Sequence, residues 1–73
     1  MTAMQDKYIQ LDQFLKHRGL VDSGGHAKVV IQAGEVLVNG DVDTRRGKKL
    51  RLGDKVVFQG QSLEVSTDDL KPC

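Results

Sequence analysis

The side chains best equipped for chemistry in this sequence are Arg45, Arg46, Lys48, Lys49 and Arg51, five cations within seven residues and uninterrupted by an acid. Guanidinium forks and ammonium groups at this density suit the oxygens of a polyanion, which they meet by charge-assisted hydrogen bonds. The chain as a whole is not basic. Its 11 Lys+Arg and 10 Asp+Glu give a formal net charge of +1, so outside this segment six cations face ten acids. That polarity lets one face of a molecule approach a polyanion. The same residues on an edge strand would also blunt unwanted sheet pairing, and charge alone leaves that plainer role open.

A second candidate lies upstream, at Ser23, Gly24, Gly25, His26 and Lys28. Ser23 is a helix-capping type, and two glycines in the first turn of the helix it opens leave backbone N–H groups without overlying side chains. Such a terminus attracts anions. The glycines can equally serve close packing against a neighbouring helix. Catalysis is not expected from this set. A Ser three residues before a His at a cap normally bonds a backbone N–H, no His or Cys pair has zinc-ligand spacing, and Gly24-Gly25 lacks the Lys-Ser/Thr of a nucleotide phosphate loop. No cofactor, metal or small-molecule substrate is expected.

The elements that must position these groups follow from periodicity. Leu11, Phe14 and Leu15 mark one face of a short helix that Gly19 stops, with Lys16, His17 and Arg18 in its last turn, where Lys16 and Arg18 either extend the basic face or, as the macrodipole favours, cap the helix. Leu20 and Val21 then pack back on it. Ala27, Val30 and Ile31 predict a second helix over about 24–33, closed by Gly34. The period then changes to two. Val36 and Val38 alternate with an outward Leu37, Asn39-Gly40 predicts a tight hairpin, and Val42 begins the return strand. Asn39 is first of all what such a turn requires. Leu50 and Leu52 are apolar anchors within the basic run. Gly53-Asp54 marks a turn, Val56–Phe58 a strand, Gly60-Gln61 another turn, and Leu63 and Val65 the last strand. Two helices followed by four or five short strands predict an α+β fold, the helices laid on a small antiparallel sheet.

At 73 residues the chain holds one domain with a small core. Residues 1–7 are expected as a flexible leader, 8–66 as the domain and 67–73 as a flexible tail. The single Cys, Cys73, and the lack of any signal-like or membrane-spanning apolar run point to a cytoplasmic protein. Aromatic residues are few (Tyr8, Phe14, Phe58), which argues against extended base stacking along a single strand.

Taken in order, Leu11-Asp12-x-Phe14-Leu15-Lys16, Gly19-Leu20, Ser23-Gly24-Gly25-His26-Ala27-Lys28, Gly34-Glu35-Val36-x-Val38-Asn39-Gly40, Arg45-Arg46-Gly47-Lys48-Lys49-Leu50 and Gly53-Asp54 resemble a stand-alone bacterial S4-like RNA-binding domain over about residues 8–65. The resemblance implies two helices and strands that dock on structured RNA, commonly ribosomal RNA or tRNA, with any chemistry left to attached domains. It also implies an RNA-facing surface formed by Ser23, Gly24, Gly25, His26, Lys28, Asn39, Arg45, Arg46, Lys48 and Lys49, which the charge run extends to Arg51. Many such domains carry an Arg after the Ser that opens the second helix, and this chain has Gly24 there.

The expected function is therefore a non-catalytic, monomeric module that recognises structured RNA, and through it the ribosome, by phosphates and shape. The rival is a protein-interaction module docking on a ribosome or other complex, for which the outward Leu37 would be informative.

Overall fold

A computed structural model describes residues 7–70, and the expected leader and the end of the expected tail lie outside the described residues except for Lys7 and Thr67–Leu70. The elements run β1 (Ile9–Gln10), α1 (Leu11–His17), α2 (Gly24–Gln32), β2 (Val36–Val38), β3 (Asp41–Val42), β4 (Lys49–Leu50), β5 (Lys55–Phe58), β6 (Gln61–Glu64) and a 3-10 turn at Thr67–Leu70. The architecture is α+β, as expected. Two helices accompany a four-stranded antiparallel sheet of order β3-β2-β5-β6 and a separate ribbon in which β1 pairs with β4.

Apolar spacing accounts for the core. Leu11, Phe14 and Leu15 of α1 meet Ala27, Val30 and Ile31 of α2 and the inward residues Val36, Val38, Val56 and Phe58 of the sheet, all buried. Gly19 and Gly34 stop the helices at φ of 74° and 79°, where a side chain would be strained. Leu20 N–H and Glu35 N–H reach back to the carbonyls of Leu15 and Val30, which closes both last turns. The β2–β3 hairpin turns through Asn39 and Gly40 at φ of 52° and 91°, the left-handed pair that matches strand twist.

Four details depart from expectation. The turn before β6 is centred on Gln59-Gly60, both with positive φ, rather than on Gly60-Gln61. Leu50 is fully buried, whereas Leu52 is 61% exposed and anchors nothing. Six strands form, because the stretch before α1 contributes β1 against the basic run. The expectation of an unstructured tail from Thr67 is corrected, since Thr67–Leu70 form a turn that buries Asp69 and Leu70. Leu70 adds apolar area to a small core, and Asp69 finds partners that offset its burial.

Candidate nucleic-acid interface

The basic segment is held by its backbone. Gln10 opens α1 without a side-chain cap, and the first N–H groups of a helix lack intrahelical acceptors. Here Leu11 N–H donates to the Lys48 carbonyl and Asp12 N–H to the Arg46 carbonyl, at 2.9 and 3.1 Å. The loop thus caps the helix. Ile9 pairs with Leu50 and Gln10 with Lys49 just beyond, so the segment is fixed between a helix end and a strand. Arg46, Lys49 and Arg51 are exposed and Lys48 is half-buried.

Arg45 stands apart from its neighbours. Asp43 is buried, and its Oδ1 accepts from both the backbone N–H and Nε of Arg45 while Oδ2 accepts from Nη2 at 2.9 Å. The Arg45 guanidinium, ahead of the backbone hydrogen bond and Lys48, holds the Asp43 carboxyl below the usual range against the opposing effect of burial. Arg45 therefore shapes the loop as well as charging it. Asp43, Arg45 and Lys48 line an open cleft with Asn39, Asp41 and Thr44.

At the start of α2, Ser23 is the N-cap and its Oγ accepts the His26 N–H at 3.1 Å. His26 accepts the Asp22 N–H at Nδ1 over a long 3.5 Å and is otherwise exposed. Lys28 is exposed one turn on. Neither glycine is explained by packing. A side chain at Gly24 would meet nothing within 4 Å, and one at Gly25 only Ser23 Oγ at 3.8 Å, with neither residue in the left-handed region. What the glycines leave is open backbone at a helix N-terminus.

Asn39 is committed to the fold. Its Oδ1 accepts the Lys55 N–H and its Nδ2 donates to Asp54, whose other oxygen accepts the Arg51 N–H, so the hairpin turn and the end of the basic run share one carboxylate. The structure gathers Arg45 to Arg51 at the first turn of α1, while Ser23 to Lys28 follow its last turn; among the described residues no hydrogen bond or ion pair joins the two groups. Arg18 belongs to neither. Its Nε and Nη2 form a fork on Asp69, and Nη2 also donates to the Glu64 carbonyl. The Arg18 backbone is the C-cap of α1, its N–H donating to the Phe14 carbonyl, while its side chain ties α1 to the 3-10 turn instead of widening a basic face.

The residue that sequence reasoning passed over is Tyr8. Of the three aromatics, Phe14 and Phe58 are in the core, whereas Tyr8 is 43% exposed with Lys49 Nζ at 4.9 Å and the Arg51 guanidinium at 5.9 Å from its ring centre. No periodicity marks it; an aromatic just outside the apolar face of the first helix was the available signal.

The S4 domain family model matches residues 2–66. The chain belongs to the S4 domain family. Its relatives include a Bacillus subtilis (strain 168) protein named "Probable ribosome maturation protein RlbA", 45% identical over 58 residues that cover 80% of this chain and 82% of that one. An Escherichia coli (strain K12) protein named "Putative RNA-binding protein YbcJ" is 40% identical over 58 residues, 80% of this chain and 83% of that one. The S4 domain match spans both helices, all six strands and every candidate residue from Ser23 to Arg51. Among the described residues no helix is long and apolar enough to cross a membrane, and no three His, Cys, Asp or Glu side chains are grouped to hold a metal ion.

Proposed function

We propose that this S4 domain protein is a non-catalytic RNA-binding module of the cytoplasm that docks on structured RNA, ribosomal RNA or tRNA, through phosphate contacts and shape. The observation that carries the reading is the basic segment, locked by its own carbonyls onto the first amides of α1 and presenting Arg46, Lys49 and Arg51 outward. Prior ordering of a cationic loop lowers the entropy lost when it meets phosphates. Arg45 and Lys48 line the adjoining cleft, Asn39 holds the hairpin beside it, and Ser23, Gly24, Gly25, His26 and Lys28 supply a second phosphate contact at the start of α2. The names of the two relatives agree with this reading, one pointing to RNA and the other to ribosome maturation.

The test is binding of the folded chain to structured RNA at low salt. Arg46→Ala/Lys48→Ala/Lys49→Ala, which spares the Asp43–Arg45 pair, should weaken binding by at least about tenfold, given that phosphate charge supplies most of such affinity. Leu37→Glu supplies the contrast. Leu37 is half-buried and pairs with Val42 and Val57 on the sheet side away from the core, so it probes docking on a protein. Loss of ribosome association in Leu37→Glu, with RNA binding intact in the triple variant, would reject the RNA reading.

A further inference from the structure

The β1–β4 ribbon has two faces. Ile9 and Leu50, directly paired, turn inward to the core, so the flanking Tyr8, Gln10, Lys49 and Arg51 fall on the opposite face by strand alternation. That outer face holds the one exposed aromatic among the described residues, with a primary ammonium and a guanidinium within 6 Å of its ring centre. Among the described residues Lys49 makes no ion pair, and its charge is opposed by the ring alone. Gln10, its cross-strand partner, is exposed and offers an amide that both donates and accepts.

We infer that this face is a seat for one unstacked nucleobase, so that the RNA bound at the basic segment carries an unpaired nucleotide beside its helical part. The inference rests on the RNA-binding reading and deepens it. A base stacks on the Tyr8 ring, displacing the Lys49 ammonium to a flanking phosphate, while the Arg51 guanidinium borders the stack. Relative strengths favour the exchange. An exposed cation–π contact is worth about 2- to 5-fold in a binding constant, whereas a base stacked on an aromatic side chain is worth about 5- to 150-fold. The displaced ammonium also gains a charge-assisted contact. Stacking of bases splayed from loops and bulges is how structured RNA displays sequence to proteins, because the deep groove of its helix admits no side chains. One ring serves one base, so the paucity of aromatics that disfavours a long single strand is compatible with a single bulged nucleotide.

The test uses two RNA hairpins, one fully paired and one with a single 2-aminopurine bulge, against the full chain, Tyr8→Phe and Tyr8→Leu, each checked for native circular dichroism. Tyr8 is the only tyrosine and the chain has no tryptophan, so protein emission reports this ring alone. The wild type should bind the bulged hairpin about 5-fold or more tighter than the paired one, with quenching of the 2-aminopurine and of the tyrosine. Tyr8→Phe should keep the preference and the 2-aminopurine quenching, and Tyr8→Leu should erase both, its affinity for the bulged hairpin falling to that for the paired one. Equal affinity for the two hairpins without quenching overturns the stack but leaves the RNA reading standing, and so does an equal loss on both hairpins in Tyr8→Leu. Failure of the folded wild type to bind either hairpin at low salt overturns the RNA reading and the stack with it.

Discussion

Arg18 and Asp69 lie 51 residues apart in sequence and form the best-coordinated ion pair of the described residues. The Asp69 side chain is fully buried, and it also accepts from the Ser66 N–H and hydroxyl, with His17 Nε2 at 3.3 Å. The Arg18 hydrogen bond, then those from Ser66, outweigh burial and lower the Asp69 pKa from 3.8 to about 2. Because the folded value lies below the unfolded one, the stabilisation is complete above about pH 5 and disappears as pH falls through 4 toward 2. A shift of that size corresponds to about 2 kcal/mol. Urea unfolding of the wild type between pH 5 and pH 2 should therefore lose about that much more stability than Asp69→Asn, which has no carboxylate to protonate. Parallel losses in the two proteins would show that the pair contributes nothing. The cations were legible in the sequence, both those of the candidate site and Arg18 outside it, but their pairing was not. Arg18 stood as a helix-end cation and Arg45 as one of a run, because neither the fork on a distant Asp69 nor the fold-back onto Asp43 leaves a mark in spacing or periodicity.

Both helices were legible because each presents an i, i+3, i+4 apolar face and ends in a left-handed glycine. The hairpin was legible from Asn39-Gly40. β1 and the 3-10 turn were not, since two and four residues are too few for a period, and both exist through long-range contacts that only the assembled core provides. The glycines that open α2 permit a test of what that element is for. Gly24→Ala/Gly25→Ala has room for both methyl groups and should raise stability by about 1 kcal/mol in total, since alanine is the better helix former. In a domain of this size that is a rise of about 4–8 °C in Tm. If open N–H groups at this terminus meet a phosphate, the same variant should bind structured RNA several-fold more weakly although it is more stable. A gain in stability with unchanged RNA affinity would remove the start of α2 from the interface and leave the basic segment to act alone.

For the molecule as a whole, a net charge of +1 conceals a strong local field, and the fold decides how much of it a ligand meets. Residues 43–51 contain five cations and one acid, Asp43, which is buried against Arg45; the segment therefore carries a net formal charge of +4. Neutralising about four phosphates gives a logarithmic salt slope of about −2.8 to −3.6, so affinity should fall roughly 50- to 150-fold between 50 and 200 mM salt. Two substitutions then move the slope in opposite directions. Arg46→Ala removes an exposed cation and should flatten it by about 0.7–0.9. Asp43→Asn removes the buried negative charge, keeps an acceptor for the Arg45 N–H, and should steepen the slope by a similar amount as Arg45 turns to the RNA. If Asp43→Asn instead flattens the slope in a protein that remains folded, the acid serves the interface by holding Arg45 in its binding geometry, and the charge that reaches RNA depends on the loop's shape more than on its count of cations.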